Sequence, residues 1–596
     1  MKPVTRSKGT IALLAFAGLV VAVVVLQPWW LALLVGHWLA SASGRSVHFD
    51  SLWIGLSSGF EPVVHARGVR IENAAWADTR RPFAALDELV AVVSWRSVAE
   101  HRPVLALMVL RDGAVDLERQ ADGLRNWRLH KPDDRGPGRI KVLSLRGERA
   151  TLRFAHRGID LDLQASARPN EPGEAPSAAG EVLPIRLDLK GAWHELAFHA
   201  SIATGETLTF LETGRTFPLR GRLEAGGARL EVDGRAGDIV RAPSIDAHVA
   251  LAGSTPAPFH AFIGPRYRSA KAVRVEGRLK AADHVYALSS LQARVGATDF
   301  AGDAAYTHGE SRNAVRMSLT SATADLADLL WLAGVDPEHR RAGPADGTFD
   351  LRRAREFDVD LTFQARRLRA ASFPLLQSLT MQAAWADGLL TLSALDLGLA
   401  EGHATGRATF DLRAEPASAE GDLALHGVLV EALWPEQGEA KRVTGVLQGR
   451  ARLKTAGAST AALLASASGS VTAALTGGTI SSLLDAELGL QGGKILRSMI
   501  SGAEPIAIRC AAAALDLRRG RGQVRTLVID TERTRTTGTG TIDLPDRVID
   551  LVLTPEAKQR GLFVLNRSIR LHGPLLKPEH SLVDRAAATP GAPCAA

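Results

Sequence analysis

The 596-residue chain is short of cysteine, of net charge and of long hydrophobic runs, and each shortage removes a class of protein. Two cysteines, Cys510 and Cys594, cannot build a disulfide framework or a zinc site on their own, so packing and backbone pairing must hold the fold. That count fits either redox compartment. Lys plus Arg is 71 against 64 Asp plus Glu, and an excess of +7 spread over this length indicates no nucleic-acid partner. The 56 Gly and 28 Pro carry no collagen period, while a hydrophobic share of 46% and a mean hydropathy of +0.02 exclude a disordered chain. The length allows roughly three to five ordinary domains or one elongated architecture.

Only one stretch has membrane length. Lys2, Arg6 and Lys8 precede an apolar run from Ile11 to Leu26, followed by Trp29, Trp30 and a second apolar stretch from Leu31 to Val35. A helix over 10–30 would be about 31 Å long, enough to cross a bilayer core of roughly 30 Å. The basic residues lie on one side only, which keeps residues 1–9 cytoplasmic, sets Trp29 and Trp30 at the far interface and exports the rest. A cleaved signal peptide is the competing reading, with Ala40-Ser41-Ala42 as its cleavage site, but that site lies too far beyond the apolar run.

Beyond Gly44 the dominant pattern is period-two alternation, the mark of strands with one apolar and one polar face. Phe357, Val359, Leu361 and Phe363 alternate with Asp358, Asp360, Thr362 and Gln364. Ile185, Leu187 and Leu189 alternate with Arg186, Asp188 and Lys190, and Ile159, Leu161 and Leu163 with Asp160, Asp162 and Gln164. Val273, Val275, Gly277 and Leu279 oppose Arg274, Glu276, Arg278 and Lys280. A loose unit recurs in which a glycine (Gly221, Gly277, Gly347, Gly421, Gly449, Gly540) opens a short strand, predicting hairpins with glycine at the turns. Helices are expected at Leu31 to Ser41, around Leu86 to Arg96, at Ala324 to Ala333 and at Ser481 to Ile500. Polar breaks fall at Pro132 to Gly138, Pro169 to Pro184, Gly253 to Pro258 and Glu415 to Gly421. The fold class is mostly β: a transmembrane helix, then an elongated antiparallel β-groove with a few short helices. An antiparallel sheet this long must cover its apolar face by curling into a greasy trough or by splitting into separate dry sandwiches, and the pattern allows both.

Several segments resemble chemical motifs. Gly55-Leu56-Ser57-Ser58-Gly59 fits a nucleophile elbow, which needs a helix after it, and Pro62 opposes one. Gly492-Gly493-Lys494-Ile495 lacks the glycine and hydroxyl residue of a phosphate loop. His194 and His199 are five apart rather than four, so the zinc-protease spacing fails. Asp358 with Asp360, and Asp160 with Asp162, read most simply as the polar face of a sheet, and Arg518, Arg519 and Arg521 as a solvated turn that could attract anionic headgroups. No catalytic residue, no metal site and no cofactor is expected.

Two colinear sets of residues resemble a known family. Gly44 and Arg45 follow the anchor, an alternating strand follows them, and Asp122-Gly123-Leu124-Arg125-Asn126-Trp127 closes the set; Gly540, Asp543, Gly573 and Pro578 mark the far end. Their order is similar to the AsmA family of envelope proteins, over roughly residues 1–130 and 465–582, with the middle third alike in character only. The resemblance implies a Gram-negative inner-membrane protein with its bulk in the periplasm, a repeating β-groove and a part in outer-membrane biogenesis. It implies lipid contact at Phe357, Val359, Leu361, Phe363, Ile185, Leu187 and Leu189, with the inner membrane and phospholipid acyl chains as partners and no nucleic acid. Outer-membrane or other envelope assembly proteins are further expected partners, the scaffold being the alternative to lipid carriage. The expected division is 1–9, a helix over 10–30, an N-terminal β region over 31–168, a linker over 169–184, a central groove over 185–464, a C-terminal region over 465–582 and a tail over 583–596.

Overall fold

The computed structural model describes residues 30–586 except 38, 42–43, 78–79, 101–103, 128–140, 171–179, 195, 206–207, 210–215, 238–243, 255–270, 310–311, 333–356, 372–374, 434–442, 458, 489–503, 559–566 and 576–577. The expected transmembrane helix therefore lies outside the described residues except for Trp30. Among the described residues no helix is long and apolar enough to cross a membrane. What they form is mostly strand, and backbone pairing joins 32 strands into one antiparallel-rich sheet. The chain divides into two compact units, Met1–Ile263 with Ala270–Ser289, and Gly264–Ser269 with Ser290–Ala596.

In the first unit, alternation works because every neighbour agrees on which face is apolar. Residues directly opposite in register share a face. Val115 sits opposite Leu152, Leu152 opposite Ala165, Ala165 opposite Leu189, and the row continues through Ala200, Leu223, Leu230 and Leu251 to Val275. The polar face carries charge in the same aligned way. Arg111 bonds Glu88 at 2.9 Å on one side and Glu148 at 2.7 Å on the other, so three strands share one ion-pair row. The Val104–Arg119 and Ser144–His156 strands pair in parallel, which requires a crossover between them.

Among the described residues, a helix covers the apolar face at one end. Residues 30–37 and 39–41 are helical, and Ala32, with Leu31 and Val35 beside it, packs on Leu52, Ala66, Val69 and Leu86. Gly44 ends this helix at φ +67, donating its N–H to the Ala40 carbonyl at 2.9 Å, the left-handed stop that glycine allows without a Cβ penalty.

In the second unit the same logic runs through Thr298–Thr307, Asn313–Ser321, Phe357–Ala365 and on to Glu579–Asp584. The Asn313–Ser321 and Phe357–Ala365 strands pair in parallel. A second buried cluster, Val430, Leu475, Ile480, Ile506 and Ile508, is closed by Leu484 from the helix Ser482–Leu488.

Several sequence expectations need correction. Leu86 to Arg96 is not a helix: Ala84–Val93 is a strand, because Val90, Val92 and Val93 are β-branched and the row pairs on both sides; only Arg96–Ala99 is helical. Ile159 and Asp160 are not strand: Arg157–Ile159 is a 3-10 turn, Asp160 is left-handed and the strand is Leu161–Pro169. Ala324 to Ala333 splits into the short strand Ala324–Asp325 and the helix Leu326–Leu332, and the described helix after Ser481 ends at Leu488. Glu415 to Gly421 is only partly a break, since the strand Ser418–Leu429 begins inside it. Gly221, Gly277, Gly421, Gly449 and Gly540 lie within strands rather than at turns, where small residues let backbones and side chains approach closely, and Gly347 lies outside the described residues. Two short helices, Val430–Leu433 and Thr460–Ser466, had no sequence signal. Cys510, on Pro505–Arg518, is disulfide-bonded.

Candidate functional site

The candidate site is the apolar sheet face itself. In the second unit Leu319 lies opposite Phe363, Phe363 opposite Met381, Met381 opposite Leu395, then Gly406, Leu423, Ala451, Val471 and Leu515 in turn. Register shifts near Ser393 are absorbed without a change of face, because the extra residue of a β-bulge restores the alternation. Small residues within the row let large neighbours approach: a Cβ at Gly406 would come within 2.8 Å of the Leu423 side chain and 2.2 Å of the Asp422 carbonyl oxygen.

Burial separates this face from an ordinary core. A facing layer would take these side chains out of water altogether. Phe363 is 3% exposed, with its ring 5.9 Å from that of Phe300 two strands away, but Phe357, Val359 and Leu361 are only half-buried and Leu423 is 38% exposed. Ile185, Leu187 and Leu189 in the first unit are half-buried too. The strand Phe357–Ala365 turns Asp360, Thr362 and Gln364 to solvent, and Asp358 is held by Arg312 at 2.6 Å. The described faces thus combine apolar rows in partial contact with solvent and fully buried positions such as Leu291, Val528 and Leu553.

The chemical motifs resolve into structure. Ser57 sits in the turn between the strands Ser51–Leu56 and Pro62–Ile71, and its hydroxyl accepts the Glu61 N–H at 3.0 Å; a strand, not a helix, follows it. His194 is a left-handed turn residue, whereas His199 lies in the strand Leu196–Thr204 with Glu224 at 3.1 Å. Asp162 meets Arg153 at 3.3 Å, and Arg521 meets Asp543 at 3.1 Å. Gly492 to Ile495 lies outside the described residues. No group of three or more potential metal-ligating side chains occurs among the described residues.

The family-motif residues serve the two ends. Arg45 lies 5.8 Å over the Phe83 ring, and burial pulls its guanidinium below the usual arginine range. Gly123 makes a left-handed turn, Trp127 packs on Phe154 at 6.1 Å, and Asn126 is 0% exposed between them. The Asn126 amide donates to the Asp116 carbonyl at 2.8 Å and to Asn73 Oδ1 at 3.1 Å, while its oxygen accepts the Glu118 N–H at 2.8 Å. Asn126→Ala strips a buried backbone N–H of its acceptor and should destabilise the first unit by about 2–4 kcal/mol, read by chemical denaturation. Gly540 lies within the strand Thr534–Asp543, Gly573 opposite Ile549, and Pro578 is exposed before the last strand. Trp29 lies outside the described residues; Trp30 is helical and partly exposed.

Sequence reasoning missed two buried carboxylates that dock helices on the sheet. Asp328 accepts the N–H groups of Ala297 and Thr298 at 2.8 and 3.1 Å and the Thr298 hydroxyl at 3.0 Å. Asp485 accepts the hydroxyls of Thr531 and Thr534 at 2.7 and 3.2 Å. A single Asp in an Ala/Leu-rich helix carries no signal of burial.

Comparison with known proteins places the second row. The AsmA family model matches residues 268–527. That stretch is an AsmA family domain. It holds the row from Leu319 to Leu515, so the family signal falls on the middle of the chain, which sequence reading credited with general character only; Gly44 to Trp127 and Gly540 to Pro578 lie outside it. The AsmA family protein YhjG of Escherichia coli (strain K12) is 24% identical over 399 residues, 63% of this chain and 58% of that protein. The chain thus spans less than two thirds of that relative's length. No solved structure matches.

The polar face sets the response to acid. Hydrogen bonds from Arg413 pull Asp411 down to about 2, and Arg278, Arg450 and Arg570 hold Asp246, Asp422 and Asp550 below the usual carboxylate range. A carboxylate whose folded pKa is depressed adds stability above its unfolded value of about 4, and loses it as pH falls through the folded value. These pairs should therefore add no pH dependence between pH 5 and 8, and melting temperature should fall between about pH 4 and pH 2.

Proposed function

We propose that this AsmA chain is a single-pass inner-membrane protein whose exported β-sheet holds phospholipid acyl chains along its apolar face and supports lipid supply to the outer membrane. The observation that carries this reading is the register-aligned apolar row, half-buried across strand after strand. An acyl chain of about 16 carbons gains roughly 13 kcal/mol on leaving water, at about 0.8 per CH₂, and an open apolar strip supplies that environment without a specific pocket. The function needs no catalytic group and no cofactor. Export is supported by the basic residues before the apolar run at 11–26.

The test is in-cell photo-crosslinking with a reactive residue at Leu361 and, separately, at Asp360, followed by mass spectrometry. These neighbours face opposite sides of one strand. Phospholipid adducts at Leu361 and none at Asp360 are expected. Protein adducts at Asp360 with lipid at neither position would overturn the reading in favour of a non-transporting envelope assembly factor.

A further inference from the structure

One end of the first unit exposes large apolar side chains that its fold does not use. Along the strand Ser51–Leu56 the apolar face opens progressively: Leu52 is 4% exposed, Ile54 46% and Leu56 67%. Phe60, at the turn that follows, is 73% exposed. It also takes a left-handed φ of +58, a conformation that suits glycine or asparagine far better than a bulky aromatic. Local backbone preference therefore does not account for a phenylalanine there. Leu56 pairs with Pro62, and Val63 with Val92, so the connection after Val93 reaches the same end. That connection carries Trp95 and Val98, both well exposed.

The helix at residues 30–41 points the same way. Its last turn closes near Val47, and Gly36 lies against the Val47 carbonyl and Phe49, while Ala32 packs in the cluster with Leu52, on the next strand toward Leu56. Its described N-terminal residues are therefore nearest the Leu56 end. There Leu33 and Leu34 face outward, opposite the side that packs on the sheet. The chain entering this turn is the apolar run at 11–26, the one stretch of membrane length in the sequence. We propose that Leu33, Leu34, Leu56, Phe60, Trp95 and Val98 form a collar that sits in the surface of the bilayer crossed by that run, so the apolar sheet face begins at the lipid. This inference rests on the anchor reading above. A bilayer is the fitting occupant because the patch is apolar, carries aromatics at its rim and lies where the chain would leave the membrane.

The test uses the full chain reconstituted in phosphatidylethanolamine–phosphatidylglycerol vesicles. An environment-sensitive fluorophore is attached without reductant to Phe60→Cys, Val98→Cys or Ile159→Cys. Ile159 is the control: it is an exposed apolar residue at the end of the sheet marked by the Arg119–His156 pairing, away from the Leu56 tip. Probes at 60 and 98 should shift to the blue and be quenched several-fold more strongly by nitroxide-bearing acyl chains than the probe at 159. Equal, weak quenching at all three positions would overturn the collar. The two readings separate in this test: lipid adducts at Leu361 with unquenched probes at 60 and 98 reject the collar alone, whereas quenched probes without Leu361 adducts uphold the collar and reject the groove. Quenching lost only when another envelope protein is added would identify a protein as the occupant and overturn the bilayer assignment.

Discussion

Leu423→Asp should leave the protein folded and abolish lipid contact at neighbouring row positions. The side chain is 38% exposed, so a carboxylate there stays hydrated while the face is empty, and the melting temperature should move by no more than a few degrees. An acyl chain laid across the same position must strip that hydration, which costs several kcal/mol. Photo-adducts at Ala451, its partner in register, should drop more than tenfold, since each 1.4 kcal/mol is a factor of ten. Leu423→Ile should change neither quantity. Phe363→Asp makes the opposing case: at 3% exposure it buries the charge with or without lipid and should destabilise the fold itself. A dry core would make the two aspartate variants behave alike.

Gly302→Val and Gly421→Ala should differ by at least about 3 kcal/mol, although both glycines lie within strands of the second unit. Gly302 has φ +149, and a Cβ there would lie 2.0 Å from the Ser318 carbonyl oxygen, a backbone atom that cannot move without breaking the pairing. Conformational strain alone is about 1–3 kcal/mol, and the clash adds to it. A Cβ on Gly421 meets nothing nearer than the Arg407 carbonyl oxygen at 4.0 Å, so alanine should be within about 0.5 kcal/mol of wild type. Urea denaturation followed by far-ultraviolet circular dichroism measures both. Equal costs would mean that the strands do not approach as closely as Gly302 requires.

How much of this was legible depended on whether local pattern and global packing agreed. Phe357–Ala365 could be read from sequence because one of its faces is wet and the other apolar, so alternation survives. Ala84–Val93 could not, because Leu86 and Leu89, three residues apart, pack in the same cluster, a spacing that imitates a helix. The mid-strand glycines were misplaced for a related reason: glycine signals a turn and a close approach equally, and only register tells which.

The site was legible strand by strand but not as a surface. Ile185, Leu187 and Leu189 announced their own apolar face, yet that face continues across Ala165 and Ala200 only because the hairpins set matching registers. The exposed collar was invisible for the opposite reason. Leu56, Phe60, Trp95 and Val98 are scattered in sequence and meet only when strand ends converge.

The most direct test of the central claim is an in-cell photo-crosslinking scan along both rows, at Leu189, Leu223 and Leu251 in one unit and Leu319, Leu423 and Leu515 in the other, each paired with its polar sequence neighbour. The account predicts phospholipid adducts at every row position and at none of the neighbours. Row positions that crosslink only to other parts of the same chain would show a covered, dry interior and contradict it.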